Sequence, residues 1–233
     1  MTVRRGTLLF VAVLTGAGLV GCGGDDEEGA RRPSTADLSV EKIVEQTKAA
    51  AAAAKSVHAI GDTLDDGTRI TVDLRVSEGA TTGSLTAEGV TIEILAVGKD
   101  TFMRVSKDGW TKMTGEAAAG ELFGGRWAKI PPNEETFESY RNLADWDFFV
   151  EDALTPDGTA SKSETKQIGG VEALGLVDSG DNATLWIPVE GDRLPLHEDA
   201  QDGSVLKFRE WGEPIMVKPP PAEQVIDLGE LAS

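Results

Sequence analysis

The sequence predicts an α+β fold in which one curved antiparallel sheet of about 10–11 strands carries an N-terminal helix and a helical lid on its concave face. Two observations lead to this expectation. An Ala-rich segment with helical spacing precedes a long series of segments whose apolar residues alternate with polar ones. The alternation then lapses between Thr114 and Leu154, where much of the aromatic content lies, before it returns.

The first predicted element is a helix. Ser39 is a suitable N-cap residue, and Glu41 lies near the positive end of the helix dipole. The residues of one helical stripe are apolar or small, namely Val40, Ile43, Val44, Thr47, Ala50, Ala51 and Ala54. The Ala-rich second half, from Lys48 to Lys55, favours a helix that packs closely on a sheet.

About six strands in hairpin succession are predicted after this helix. Arg69 to Ser77 alternates strictly, with Ile70, Val72, Leu74 and Val76 on one side, and residues 90–96 repeat the pattern. Turn signals such as Asp65-Asp66-Gly67 and Lys107-Asp108-Gly109 separate the strands.

A lid and a second group of strands follow. Asn133 or Thr136 is predicted to cap a helix that runs through Leu143 and, after a break, from Trp146 to Leu154. The later strands are predicted at Ser161 to Ile168, Val171 to Asp178, Ala183 to Glu190, Leu194 to Ala200 and Ser204 to Trp211. Val225, Ile226, Leu228 and Leu231 indicate a short final element after Pro219 to Pro221.

The N-terminal segment is typical of a bacterial lipoprotein signal. Arg4 and Arg5 precede an apolar run that is shorter than the ~20 residues of a spanning helix, and Leu19-Val20-Gly21-Cys22 has the form of a lipobox. We therefore expect a signal peptide at 1–21, a lipidated Cys22 with a flexible acidic tether at 22–37, and a single domain at 38–233. An ordinary secretory signal with a chance cysteine is the alternative.

The charge balance limits the classes of partner. The chain has a formal charge of −18, and loss of Arg4 and Arg5 with the signal would make it −20. Such a domain would repel nucleic acid and an anionic lipid surface, so we expect no nucleic-acid partner. Attachment to the membrane should instead come from acyl chains on Cys22.

No motif predicts catalysis, a metal or a cofactor. His58 and His197 lack the spacing of a zinc site, and no GxSxG nucleophile motif occurs. Asp62 to Asp73 resembles a calcium loop only in part, because Leu64 occupies a ligand position. We expect a protein that is not an enzyme, although 40 acidic residues leave a paired-carboxylate hydrolase open.

The candidate ligand-binding residues are the apolar side chains that alternate along the predicted strands. A curved sheet that is covered only by helices can enclose a cavity, so these residues either line that cavity or form a filled core beneath the helices. They are Val72, Leu74, Ile92, Ile94, Leu174, Leu176, Leu185, Ile187, Leu206 and Phe208.

The mature chain resembles the actinobacterial LppX/LprAFG-type lipoproteins, which share the half-barrel fold of the LolA/LolB carriers. The resemblance lies in the lipobox, the polar tether, the Ala-rich helix and a C-terminal run of structural motifs. That run is Thr184-Leu185-Trp186-Ile187, Leu194-Pro195, Lys207-Phe208, Trp211-Gly212-Glu213-Pro214-Ile215, Pro219 to Pro221 and Val225-Ile226-Asp227-Leu228.

The resemblance implies a lipid or other hydrophobic ligand held between sheet and helices, for transport or presentation across the cell envelope. It also implies anchoring at the extracytoplasmic face of the membrane, with a membrane transporter as a candidate partner, and we expect a monomer. The alternative is a structural or interaction lipoprotein whose core is filled and which contacts a membrane protein.

Overall fold

The computed structural model describes residues 32–65 and 67–231. The predicted signal peptide and Cys22 lie outside the described residues. Within the described part of the chain, no helix is both long enough and apolar enough to cross a membrane.

One open, curved sheet of twelve strands organises the fold, which confirms the predicted α+β class. The strand order is β12-β6-β5-β4-β3-β2-β1-β11-β10-β9-β8-β7. The bounds are β1 Ser56–Asp65, β2 Thr68–Ser77, β3 Ala80–Ala87, β4 Val90–Val97, β5 Asp100–Val105, β6 Trp127–Lys129, β7 Ala160–Ile168, β8 Val171–Asp178, β9 Thr184–Pro188, β10 His197–Asp199, β11 Val205–Arg209 and β12 Val225–Asp227.

Six α-helices and several shorter turns complete the described chain. The helices are α1 Val40–Ala54, α2 Lys107–Thr114, α3 Ala117–Phe123, α4 Glu138–Leu143, α5 Trp146–Phe148 and α6 Leu228–Leu231. A π-helical turn covers Phe149–Ala153, and 3₁₀ turns cover Thr35–Asp37, Glu135–Phe137 and Ala222–Gln224.

The predicted N-terminal helix is confirmed as α1. Ser39 caps it, since its Oγ accepts a hydrogen bond from the Lys42 N–H at 3.3 Å. The side of the helix that packs on the sheet is buried at Ile43, Thr47 and Ala51.

The strands β1 to β5 form an antiparallel meander, five strands where about six were predicted. Gly83 lets β2 and β3 approach closely. Its φ is +149°, and a Cβ at this position would lie 2.0 Å from the carbonyl oxygen of Asp73. Any other residue would therefore push the two strands apart.

The helical hairpin α2–α3 was not predicted, because Lys107-Asp108-Gly109 has the composition of a turn. The Ser106 Oγ instead accepts the Gly109 N–H at 3.0 Å and starts a helix. The hairpin is held to the core by Trp110, whose ring lies 5.2 Å from that of Phe123.

We call the sheet face that α1 and the lid cover the inner face. Strand register identifies its residues, because directly paired residues project to the same side. Val72 pairs with Leu85, which pairs with Ile92, and Ile92 pairs with Val105. All four are buried, so this row forms part of the core.

The opposite, outer face is crossed by residues 212–221, which we call the strap. It starts beside β1, where the Gly212 N–H donates to the carbonyl of Ser56 at 3.1 Å. It leads to β12, which pairs with β6 in the parallel sense. The predicted all-antiparallel sheet is therefore wrong for this one pair. The strap takes the chain across the outer face, so that β12 runs in the same direction as β6.

The two edges of the sheet differ. The edge strand β12 has three residues, whereas β7 has nine and is mostly exposed. Lys162 and Lys166 lie on β7, and its register with β8 shifts between Lys162 and Thr165. Charged lysines and a bulge both disfavour pairing with a further strand.

Candidate ligand-binding site

The structure places all ten candidate residues on the inner face, but it packs most of them against other side chains. Leu185 and Leu206 are half-buried, and the other eight are buried. They belong to two clusters. The larger cluster lies beneath the lid and includes Val72, Leu74, Ile92, Ile94 and Phe208. The smaller cluster, beneath the first half of α1, contains Leu174, Leu176 and Ile187 together with Ile43.

We call residues 138–154 the lid, which consists of α4, α5 and the π-helical turn. Its buried residues Trp146, Val150 and Leu154 are each at most 6% exposed and belong to the larger cluster. The helix α5 has only three residues, although the Asp145 carboxylate caps it by accepting the N–H groups of Asp147 and Phe148. Such short helical pieces have little stability of their own and depend on packing.

Aromatic rings join the lid to the sheet. The Phe149 ring lies 5.5 Å from Trp146 within the lid and 5.9 Å from Phe208 on β11, measured between ring centroids. Trp211 lies 6.0 Å from Phe149 and donates its indole N–H to the carbonyl of Pro195. These contacts place the centre of the lid over the middle of the sheet.

Polar contacts join the lid to its surroundings near both of its ends. The Thr81 hydroxyl donates to the carbonyl of Ala144 at 2.9 Å. At the other end, the Lys48 ammonium on α1 lies 2.5 Å from the Glu151 carboxylate and donates to the Thr155 hydroxyl at 3.1 Å. The Lys48–Glu151 ion pair lies at the surface and contributes little to stability, whereas the Thr81 hydrogen bond is made by a buried hydroxyl.

One cavity lies at the start of the lid, and we call it the Trp146 cavity. Its volume is about 340 Å³, and its lining includes Ala96 and Thr101 of the sheet and Ala144 and Trp146 of the lid. Arg141 also lines it, and its guanidinium donates to the carbonyls of Pro131 and Glu134. The Trp146 cavity therefore lies between the lid and the hairpin turns at one end of the strands.

A second cavity, which we call the Glu198 cavity, lies at the other end of the lid. It has a volume of about 160 Å³. Leu154 and Pro156 approach it from the lid side, and the candidate residues Leu176 and Leu185 approach it from the sheet. Of the ten candidate residues, these two line a cavity at the lid.

Glu198 is the polar group of this cavity. It lies on the inner face, because it pairs with Leu185 of β9 on one side and Leu206 of β11 on the other. Burial raises the pKa of Glu198 to about 7, and the neighbouring carboxylates Asp181 and Asp178 add to the rise. An apolar face thus carries one carboxyl group that is protonated in part near neutral pH.

The sequence did not identify Glu198, Trp146, Val150 or Leu154 as site residues. A signal for Glu198 existed, since it continues the alternation that Leu194 begins. The lid residues carry no strand alternation, and their shared position follows only from how the short helices pack.

The histidines lie away from this site. His58 is on the outer face, where its Nε2 lies 2.7 Å from Asp73 and its Nδ1 lies 3.4 Å from Glu210. His197 lies 3.1 Å from Asp199. Within residues 32–65 and 67–231, no group of three or more histidine, cysteine or acidic side chains has an arrangement that could hold a metal ion.

The sequence matches no protein-family model and no curated protein. The solved structures that are similar to the chain include two mycobacterial lipoproteins. LprF from Mycobacterium bovis is 15% identical, with a TM-score of 0.50 over 77% of this chain and 96% of that one. The lipoprotein LppX from Mycobacterium tuberculosis is 18% identical, with a TM-score of 0.46 over 77% of this chain and 100% of that one. In its fold, the chain is therefore similar to LprF, which confirms the half-barrel that the family resemblance implies.

Proposed function

We propose that the protein is a lipid-anchored, extracytoplasmic binding protein that holds a lipid or other hydrophobic ligand between the inner face and the lid. It would transport or present this ligand across the cell envelope without catalysing a reaction. The observation that carries the proposal is the way in which the lid covers the inner face. A long apolar sheet face is closed by short helical pieces with a cavity at each end.

Binding would require the lid to move, since its side chains now occupy the space above the sheet. Trp146, Val150 and Leu154 would leave the face, and the hydrocarbon of the ligand would cover it instead. The exchange replaces one apolar contact by another, so the cost of opening is offset when the ligand is bound. The surface ion pair between Lys48 and Glu151 opposes such an exchange only weakly.

The location in the proposal rests on Cys22 and its lipobox. We propose that the chain is cut before Cys22 and acylated there, and that a tether connects the anchor to the domain. Pro33 is held to the domain, since its carbonyl accepts a hydrogen bond from Arg193. The buried Thr35 then donates its N–H to the carbonyl of Val189 at 2.8 Å.

Lipid extraction tests the ligand. The full-length chain, purified from membranes, should release a lipid into organic solvent that mass spectrometry detects, and should take up a fluorescent acyl probe. Leu185→Trp should reduce uptake because it fills the Glu198 cavity, which Leu185 lines. Val171→Trp, at an exposed position on β8, is the matched control. Recovery of no lipid together with no probe uptake would contradict the proposal.

Detergent phase separation tests the anchor. Cys22→Ser removes the thiol that acylation requires, so the variant should leave the detergent phase, whereas the unchanged chain should enter it. A variant that still enters the detergent phase would show that acylation does not hold the protein at the membrane.

One observation favours a second function. The inner face is filled by lid side chains, as in a protein that presents a surface and holds no ligand. Met216 on the strap is 91% exposed, which suits contact with a membrane protein partner. If the extraction yields no lipid, this interaction role becomes the leading candidate.

A further inference from the structure

A groove on the outer face combines an aromatic side chain with hydroxyl and charged groups. It lies between the strap and strands β3 to β6 and has a volume of about 430 Å³, within the range of small-molecule sites. We call it the outer groove. Its lining includes Thr82, Ser84, Glu93, Leu95, Trp127 and Lys218.

Register places the polar residues of the floor side by side. Ser84 pairs with Glu93, which pairs with Arg104, and Arg104 pairs with Trp127. All four therefore project from the outer face. Two bonds from the Arg104 guanidinium, at 3.0 and 2.5 Å, hold the Glu93 carboxylate in position.

Trp127 forms an aromatic wall of the groove. Its indole is half-buried, and the Arg104 guanidinium lies 4.6 Å from the ring centroid. This cation and the ion pair to Glu93 hold the ring in place. Arg104 covers one face of the indole, so a ligand would contact the part of the ring that lines the groove, at little cost in side-chain entropy.

The floor of the groove carries two hydroxyl groups, those of Thr82 and Ser84. Among residues 32–65 and 67–231, neither the Thr82 nor the Ser84 hydroxyl makes a hydrogen bond to another residue. Each can donate one and accept two. The groove therefore combines a fixed aromatic ring with free hydroxyls at one site.

We propose that the outer groove binds a short neutral glycan. The apolar C–H face of one sugar ring would lie against Trp127 on β6, and hydroxyl groups of the glycan would bond to the Glu93 carboxylate on β4 and to Thr82 and Ser84 on β3. The site lies on the sheet face opposite to the lid, so this inference does not depend on the hydrophobic ligand proposed above.

Other ligand classes fit the groove less well. An acyl chain would cover the hydroxyls and Glu93 without bonding to them, which costs free energy. A phosphate or other strong anion would meet the Glu93 carboxylate, and Arg104 is already paired with it. A cation would meet Lys218 at the rim. A neutral polyol with an apolar ring face satisfies all of these groups.

Nuclear magnetic resonance of the full-length chain tests the site, in a detergent that has no sugar headgroup. The five tryptophan indole N–H signals are followed during titration with neutral trisaccharides of glucose, mannose and galactose. Trp127→Phe assigns the signal of Trp127. At least one sugar should shift this signal until it saturates, while the signal of the buried Trp186 should not move.

Variants separate the groove from other surfaces. Trp127→Ala should weaken binding at least about tenfold, as measured on backbone signals, because the ring contact is lost. Thr82→Val and Ser84→Ala should each weaken it by about threefold to tenfold. Thr86→Val is the matched control, because its hydroxyl bonds to Thr91 and does not line the groove.

Three results would overturn the proposal. One is that no sugar shifts the Trp127 signal. Another is an affinity that Thr82→Val and Ser84→Ala leave unchanged, since the sugar would then bind elsewhere. The third is a response of Trp127 to inorganic phosphate and to none of the sugars. None of these results bears on lipid binding at the inner face.

Discussion

The half of the sheet formed by β1 to β5 and the half formed by β8 to β11 seal their inner faces differently. In the first half, Leu74 and Ile94 are 2% and 1% exposed beneath long, evenly paired strands. In the second half, β10 has three residues, Leu185 and Leu206 are half-buried, and Glu198 lies between them. Leu185, Glu198 and Leu206 are all only partly buried, so the second half is the less closed part of the site.

The largest expected effect compares the two halves by truncation. Leu74→Ala should lower the free energy of unfolding by about 2–5 kcal/mol, because it leaves a cavity in a closed core. Leu206→Ala should cost about 1 kcal/mol, since a half-buried side chain loses less contact and water can fill the space. Urea unfolding of both variants gives the two values. Equal losses in the free energy of unfolding would show that the inner face is buried to the same degree in both halves.

The next effect isolates the charge in the second half. The pKa of Glu198 rises from 4.5 to about 7 on folding, so the folded state binds more protons than the unfolded state between these pH values. The free energy of unfolding therefore falls as pH rises through this window, by about 3 kcal/mol in total. Glu198→Gln should remove that loss and stabilise the protein above pH 7.

Urea unfolding at several pH values measures this effect. Glu164→Gln, on the exposed strand β7, serves as the control for the change in net charge. If Glu198→Gln and Glu164→Gln change stability equally at every pH, the Glu198 carboxyl is not buried as the fold places it.

The smallest effect concerns the contact between the lid and α1. Lys48→Met removes the ion pair with Glu151 and should lower stability by less than about 1 kcal/mol. It should nevertheless speed the uptake of a fluorescent acyl probe, because the end of the lid beside the second half is released. Lys42→Met, which breaks an ion pair with Glu45 within α1, is the matched control. If both variants took up the probe at the same rate, the Lys48–Glu151 ion pair would not restrain the motion of the lid.

The sequence predicted those elements whose signals are local. Ser39 and the stripe after it predicted α1, and the alternation around Val72 and Leu74 predicted β2. The hairpin α2–α3 was missed because Lys107-Asp108-Gly109 favours a turn unless Trp110 has a core to enter. The parallel pairing of β12 with β6 joins residues about a hundred positions apart, and no local pattern encodes it.

The candidate site shows the same limit. Alternation identified the apolar residues of the inner face, since it determines which side of a strand faces the core. It could not distinguish residues that line a cavity, such as Leu176 and Leu185, from residues that are packed, such as Leu174 and Ile187. That distinction depends on where Leu154 and Trp146 of the lid lie, which is a matter of tertiary packing.

The sheet order also sets when the fold can be completed as the chain emerges. The strand β1 pairs with β11, and β6 pairs with β12. Both β1 and β6 are therefore synthesised well before the strands that pair with them, which lie within residues 205–227. Until residues 205–227 arrive, β1 and β6 each have one unpaired edge. Non-local pairings of this kind slow folding and prolong the exposure of apolar strands to other molecules. During synthesis the nascent chain is therefore most exposed to wrong association just before residues 205–227 are added.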